Sequence, residues 1–318
     1  MRERMNLDDI KNVLIIGAGN MGHSIAQVYA QGGIEVSLVD INQKTLDRAM
    51  NLIDSNLNTL AEFNKVKSSD IVNILNRIHP STNLKENAEK ADLVLEAIKE
   101  EPNLKLELFN KLTDYCRDDV ILASNTSSLD IFRILKGIKN PERIITHHWF
   151  MPPHIIPTVE IAPGRKTSKE TIELSVKLHE KLGKIPILMK KFVPNYIVNK
   201  IQNVISGAMY ELMIRNLATA EQIDLVIKST LGIRLPIFGI VQAHDFTGLD
   251  LVEDITTAKG GNVPLISDKV KKGELGVKTG KGHYDYGGRS EIEILRKRDI
   301  LFLKQLEFLE KNTEFKPI

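Results

Sequence analysis

His148 and Glu160 stand twelve positions apart, on either side of the proline-rich stretch Met151-Pro152-Pro153-His154. A histidine closes one apparent strand, a turn follows, and a glutamate lies in the next strand. Neighbouring strands can therefore bring the two side chains together. A carboxylate beside an imidazole fixes its tautomer and stabilises the imidazolium, which suits the histidine to take a hydroxyl proton during hydride transfer. Two other readings compete for the same residues. Histidines beside a proline-rich turn can be structural. Alternatively, His147, His148, His154 and Glu160 could bind a metal, although their spacings match none of the familiar zinc patterns and no metal is expected.

Hydride chemistry needs a carrier, and the N-terminal region has the residues to hold one. Val13-Leu14-Ile15-Ile16 is long enough for one buried parallel strand. It runs into Gly17-Ala18-Gly19-Asn20-Met21-Gly22, a G-x-G-x-x-G pattern, and then into His23–Ala30, where Ile25, Val28 and Tyr29 share a helical face. Gly17 permits the tight turn, Gly19 lets the backbone approach a pyrophosphate, and Gly22 lets helix and strand pack closely. Asn20 and Met21 complete the turn. The helix N-terminus offers free N–H groups to the phosphates. A second apolar run, Val36-Ser37-Leu38-Val39, ends at Asp40, roughly 20 residues on, where an acid is expected to bind the adenosine ribose hydroxyls. Asp40 repels a 2′-phosphate, and Ile41, Asn42 and Gln43 supply no arginine to bind one. NAD is therefore expected over NADP.

The elements that must position these residues form two blocks. The chain has 318 residues, enough for two domains. From Lys11 to about Lys190, apolar runs at Val13–Ile16, Glu35–Val39, Leu93–Glu96, Val120–Ala123, Arg143–His148, Thr158–Ala162 and Ile185–Leu188 alternate with helical stretches. That pattern predicts an α/β fold: a Rossmann-type, doubly wound, mostly parallel sheet over residues 1–191. The polar region from Lys44 to Arg77 reads as a helix or a helical pair. After Pro194 strand signals become scarce. Ile197, Ile201, Val204, Ile205, Ala208 and Leu212 recur at helical spacing, and Thr219-Ala220-Glu221-Gln222 reads as a capping box. Residues 192–318 are expected to form a smaller all-α domain, ending in an amphipathic tail helix over about 291–311.

Composition narrows the class. Hydrophobic content is 42% and charged content 26%, ordinary for a globular protein. Lys+Arg number 43 against Asp+Glu 41, net +2, so no nucleic-acid or membrane bias follows. Cys116 is the only cysteine, which excludes an intrachain disulfide and fits a cytoplasmic setting. No apolar run approaches about 18 residues, so no membrane span is expected. Met1-Arg2-Glu3-Arg4-Met5 is charged and lacks an apolar signal core.

From about Lys11 to Gly287 the chain resembles the 3-hydroxyacyl-CoA dehydrogenase family, through motifs in the same order. These are Gly17–Gly22, Leu95-Glu96-Ala97-Ile98-Lys99-Glu100, Ser124-Asn125-Thr126-Ser127-Ser128-Leu129, the His148…Glu160 segment, Asn195-Tyr196-Ile197-Val198-Asn199-Lys200, and Leu275–Tyr284. The resemblance implies that His148 is the catalytic base and Glu160 its orienting partner. Ser127 would hydrogen-bond the substrate's 3-oxygen, and Asn199 would help polarise it from the second domain. Glu100, Lys105 and Lys278 would contact NAD. It further implies a homodimer paired through the C-terminal domains, a substrate held between the two domains, and a place in fatty acid metabolism.

Two departures qualify this. Met151 stands where the family commonly has an asparagine that contacts the nicotinamide. A catalytically inactive cofactor-binding homologue is therefore a third reading. The Pro152-Pro153-His154 turn, Gly232-Ile233-Arg234 and the tail helix look more like a sister branch, similar to L-gulonate 3-dehydrogenase (lambda-crystallin) and carnitine dehydrogenase, that oxidises free 3-hydroxy acids. There Arg234 would clamp a carboxylate. In a short-chain acyl-CoA enzyme, Lys65 and Lys67 would instead meet CoA phosphates. The acyl-CoA reading leads, with the free 3-hydroxy acid as alternative.

Overall fold

The computed structural model describes residues 6–316; the charged segment Met1–Met5 lies outside the described residues. The chain divides into two compact units, Met1–Val204 and Ile205–Ile318.

The first unit is built on eight strands: β1 Asn12–Ile16, β2 Glu35–Val39, β3 Ile78–Ser81, β4 Leu93–Glu96, β5 Ile121–Ser124, β6 Ile144–Trp149, β7 Thr158–Pro163 and β8 Ile185–Leu188. They lie in the order β3-β2-β1-β4-β5-β6-β7-β8. All pairings are parallel except β6 with β7. This is the expected doubly wound sheet. Alternate residues feed its two faces. Ile15, Leu38 and Trp149 join Ile25, Tyr29 and Leu178 on one side. Leu14, Val94, Leu122 and Ile144 join Phe109 and Leu112 on the other. Apolar side chains on both faces are what a covered parallel sheet requires.

One strand departs from the sequence expectation. The region read as helical from Lys44 to Arg77 holds the helices Gln43–Glu62 and Ile71–Asn76, and β3 follows directly. Strand β3 is an edge strand, with His79 and Pro80 exposed, so it carries no apolar run. Proline is tolerated there because an edge strand has one unpaired side.

The register puts the chemistry on one edge of the sheet. Ile16 lies opposite both Val39 and Glu96, Glu96 opposite Ser124, and Ser124 opposite Thr146. The glycine turn, Asp40, the segment Ala97–Glu101, the turn Asn125–Leu129 and His148 therefore all sit at or beyond the C-terminal strand ends. The order reverses between β1 and β4, which is where such sheets open a crevice for ligands.

The second unit is helical, with helices Ala220–Ser229, Leu231–Thr247, Leu249–Ala258, Pro264–Lys271 and Glu291–Thr313; the helix Val198–Ile214 runs across the boundary. The capping box forms: Gln222 N donates to Thr219 Oγ1 at 3.2 Å, and Thr219 N donates to Gln222 Oε1 at 2.9 Å. Buried Asp245 staples the loop before the tail helix, accepting from His283 N, Tyr284 N and Tyr286 Oη. The tail helix packs Ile294 against Val277 and Tyr286, and Arg298 lies over the rings of Phe246 and Phe302.

Candidate active site

Antiparallel pairing of β6 and β7 sets His148 directly opposite Glu160. His148 Nδ1 and Glu160 Oε2 are 2.9 Å apart, and both residues are almost fully buried. With Nδ1 committed to the carboxylate, Nε2 is the ring nitrogen left to exchange a proton with a substrate. The second oxygen, Glu160 Oε1, accepts from the backbone N–H groups of Ile197 and Val198 at 3.0 and 3.1 Å. These are orphan donors at the start of the helix Val198–Ile214. One carboxylate thus orients the histidine and caps the helix that carries Asn199.

The imidazole is held on its faces as well. The Tyr196 ring stacks on His148 with centroids 4.4 Å apart, and Phe150 meets it edge-on at 4.7 Å. Asn195 and Tyr196 adopt positive φ, +67° and +48°. Such backbone costs of order 1–3 kcal/mol per residue and persists only where packing demands it. Here it delivers the buried Tyr196 ring onto His148.

His147 points elsewhere. It packs against His179 in a T-shaped contact at 4.6 Å, near Trp149 and Tyr29. His154 is also separate: Ser24 Oγ lies 2.6 Å from its Nδ1 and accepts from its backbone N–H, which pins the turn after β6 to helix Gly22–Gln31. Met151, between them, is exposed.

The glycine turn fits a dinucleotide. Gly17 has φ +99°, and a Cβ there would lie 2.6 Å from Ala97 O. A Cβ on Gly22 would lie 1.7 Å from Gly17 O, so helix and turn approach as only glycine allows. Above Gly19 the space is open. Asp40 braces the turn by accepting from Ala18 N at 2.9 Å and from Asn42 N at 3.0 Å.

Glu100 organises the next turn. Its Oε1 accepts from the Thr126 hydroxyl and from the N–H groups of Ser127 and Ser128, at 3.1 and 3.2 Å for the latter two. Burial raises its pKa, but the Thr126 hydroxyl and the Lys105 ammonium outweigh that and hold it below the ordinary carboxylate value. Ser127 is exposed on this turn. Lys105, expected at the cofactor, is almost fully buried, its Nζ 2.6 Å from Glu96 Oε1 and 3.1 Å from Glu100 Oε2.

Lys65 and Lys67 are exposed after helix Gln43–Glu62; Lys65 borders a cavity of about 530 Å³ with His154, Lys181 and Lys184. In the second unit, Lys278 pairs with Asp250, and Arg234 is exposed on helix Leu231–Thr247.

Comparison with known proteins agrees with this geometry. Residues 12–192 match the family model of the 3-hydroxyacyl-CoA dehydrogenase NAD-binding domain, and residues 196–286 match that of the 3-hydroxyacyl-CoA dehydrogenase C-terminal domain. The chain belongs to the 3-hydroxyacyl-CoA dehydrogenase family. A 3-hydroxybutyryl-CoA dehydrogenase of Clostridioides difficile is 32% identical over 86% of this chain and 98% of its own. A crystal structure of a 3-hydroxyacyl-CoA dehydrogenase from Archaeoglobus fulgidus superposes with a TM-score of 0.79 at 30% identity, covering 94% of this chain and 99% of that one. A 5-formyl-3-hydroxy-2-methylpyridine 4-carboxylate 5-dehydrogenase of Mesorhizobium japonicum is 26% identical over 87% of this chain and 91% of its own.

Within this dehydrogenase, the residues that sequence reasoning passed over are Tyr196, Asn125 and Glu96. Asn125 Oδ1 accepts from Trp149 N at 2.9 Å, tying the end of β5 to the strand that carries His148. All three lie inside motifs already singled out, next to the residues that drew attention.

Proposed function

We propose that this NAD-dependent dehydrogenase interconverts (S)-3-hydroxyacyl-CoA and 3-oxoacyl-CoA of short acyl chain. The observation that carries the reading is the His148–Glu160 pair, buried and oriented at the same sheet edge as the glycine turn and Asp40. Gly17, Gly19, Asn20, Met21, Gly22 and Asp40 would hold NAD, with Glu100 beside them; NAD supplies the hydride acceptor. His148 Nε2 takes the 3-hydroxyl proton in oxidation and returns it in reduction. Glu160 stabilises the imidazolium, and its two backbone donors keep the carboxylate from turning away. Ser127 and Asn199 hydrogen-bond the 3-oxygen. Lys105 acts through Glu100, and Lys278 is a further cofactor contact. Lys65 and Lys67 meet the CoA phosphates.

The same reading divides the chain functionally near Lys191 and makes the protein a homodimer. No residue of helices Val198–Ile214 and Ala220–Ser229 is buried, and Tyr210, Ile214, Leu217 and Val226 are left more than half exposed. A second copy covering them would account for so much bare apolar surface. A cytoplasmic setting and a role in fatty acid metabolism complete the reading. They are supported by the lone buried cysteine, Cys116, and by the chemistry of the substrate.

The test is initial-rate reduction of acetoacetyl-CoA with NADH, followed at 340 nm, beside free 3-oxo acids. Turnover of the thioester is expected. Turnover of free acids alone would move the protein to the other branch, and oxidation of NADH by neither would point to an inactive homologue.

A further inference from the structure

Glu96 ends β4 and is completely buried. Three donors hold its carboxylate. Oε1 takes Lys105 Nζ at 2.6 Å and Ile98 N at 2.9 Å, and Oε2 takes the Ser124 hydroxyl at 2.6 Å. Ser124 Oγ in turn accepts from Thr126 N at 3.2 Å. The Glu96 backbone carbonyl accepts from Asn125 N at 2.8 Å. One residue therefore ties together the two segments that leave β4 and β5, which carry Glu100 and Ser127.

The charges explain why a carboxylate is needed. Among the described residues, Lys105 is the only cation paired with Glu96 or Glu100. Its ammonium sits closer to Glu96 than to Glu100, so its pull is shared, and more of it goes to the buried partner. That leaves Glu100 Oε1 to gather the Thr126 hydroxyl and the Ser127 and Ser128 amides. With Glu96 neutral, the buried ammonium would have one anionic partner. A buried charge that loses its partner reorganises around whatever counter-charge remains. Glu100 would be drawn towards Lys105 and away from the turn.

We infer that Glu96 is a positioning residue for the dehydrogenase reaction: by taking the main share of Lys105, it leaves Glu100 to shape the Thr126–Leu129 turn that presents Ser127. The inference rests on the dehydrogenase reading above and assigns to Glu96 a task that the His148–Glu160 pair does not perform. It also gives Lys105 its place, as the cation that couples two carboxylates.

The test is a double-mutant cycle of Glu96→Gln and Lys105→Met. Acetoacetyl-CoA reduction, NADH affinity by fluorescence titration and melting temperature are measured for each protein. Glu96→Gln alters no residue of the glycine turn and keeps Asp40 but shifts Glu100 beside the cofactor, so kcat should fall at least tenfold and by clearly more than NADH affinity does. Lys105→Met leaves two carboxylates facing each other and should be the most damaged. The double variant restores the native charge count, leaving Glu100 free to hold the turn. It should recover at least tenfold in kcat over Lys105→Met. Glu96→Gln with kcat within twofold of native would overturn the inference, as would equal losses in kcat and NADH affinity. If Glu96→Gln does not fold, the comparison of Lys105→Met with the double variant decides: no recovery overturns it. A native protein that fails to turn over acetoacetyl-CoA overturns the dehydrogenase reading and this inference with it. An active native protein with an indifferent Glu96→Gln overturns this inference alone.

Discussion

Glu160 holds His148 Nδ1 at 2.9 Å with one carboxylate oxygen while the other caps the helix that begins at Val198. The His148 imidazole and the segment bearing Asn199 thus share one anchor. His148→Gln should lower kcat by about 10²–10⁴, the usual worth of a positioned general base. Glu160→Gln should lower kcat and also destabilise the fold, because an amide cannot serve both the imidazole and the two backbone donors as a carboxylate does. NADH affinity should be nearly native in both. His147→Gln should leave kcat within a few-fold and lower stability instead, since His147 packs on His179. An inactive His147→Gln beside an active His148→Gln would reverse the assignment.

Asp40 braces the glycine turn through Ala18 N. The native enzyme should prefer NADH to NADPH in kcat/KM. Asp40→Ala should narrow that preference by removing the carboxylate that repels a 2′-phosphate, and should weaken NADH binding because the turn loses its brace. Equal use of both cofactors by the native protein would refute the role of Asp40.

The sheet and the contact between His148 and Glu160 were legible because both leave local signals. Parallel strands read as apolar runs, and the stretch between His148 and Glu160 is short enough to force neighbouring strands. Strand β3 was not, because edge position and Pro80 remove the apolar run that marks a strand. Nor was the burial of Lys105. The resemblance put it at the cofactor, and only the structure shows its Nζ buried between Glu96 and Glu100. Tyr196 was hidden for a similar reason, since its contact with His148 depends on a left-handed turn that no periodicity announces.

Acid should loosen the NAD-binding unit. His147 and His179 are completely buried. Burial pushes His179 down to about 4, with Lys184 adding to the shift and the Ser175 carbonyl opposing it. Burial and then His179 hold His147 well below its ordinary value. His23 and His154 are lowered too, burial being the largest cause for each. The unfolded chain, titrating near 6.5, therefore binds more protons than the folded one. Stability is full above about pH 6.5 and falls as pH drops towards 4. For His179 alone the loss at pH 5 is about 2 kcal/mol. Urea unfolding at pH 7.5, 6 and 5 should show the midpoint falling, and His179→Phe should flatten the trend. A midpoint constant down to pH 5 would falsify this account.

The last prediction separates the two substrate classes. Lys65 and Lys67 are exposed, so any contact with CoA phosphates is screened, and each is worth about 0.2–1 kcal/mol. Lys65→Ala/Lys67→Ala should raise KM for acetoacetyl-CoA by roughly 2- to 30-fold with kcat nearly unchanged, the range those two contacts span. The native KM should rise with added salt, and the variant's should rise less. Arg234 is exposed on helix Leu231–Thr247, with no ion-pair partner among the described residues. A thioester presents no carboxylate for a guanidinium to clamp, so Arg234→Lys should leave thioester turnover within twofold. In a free-acid enzyme the planar, two-pronged contact could not be replaced by an ammonium, and the same change would cost at least tenfold. Salt-independent kinetics, together with loss of activity in Arg234→Lys, would sink the CoA assignment and favour a carboxylate substrate.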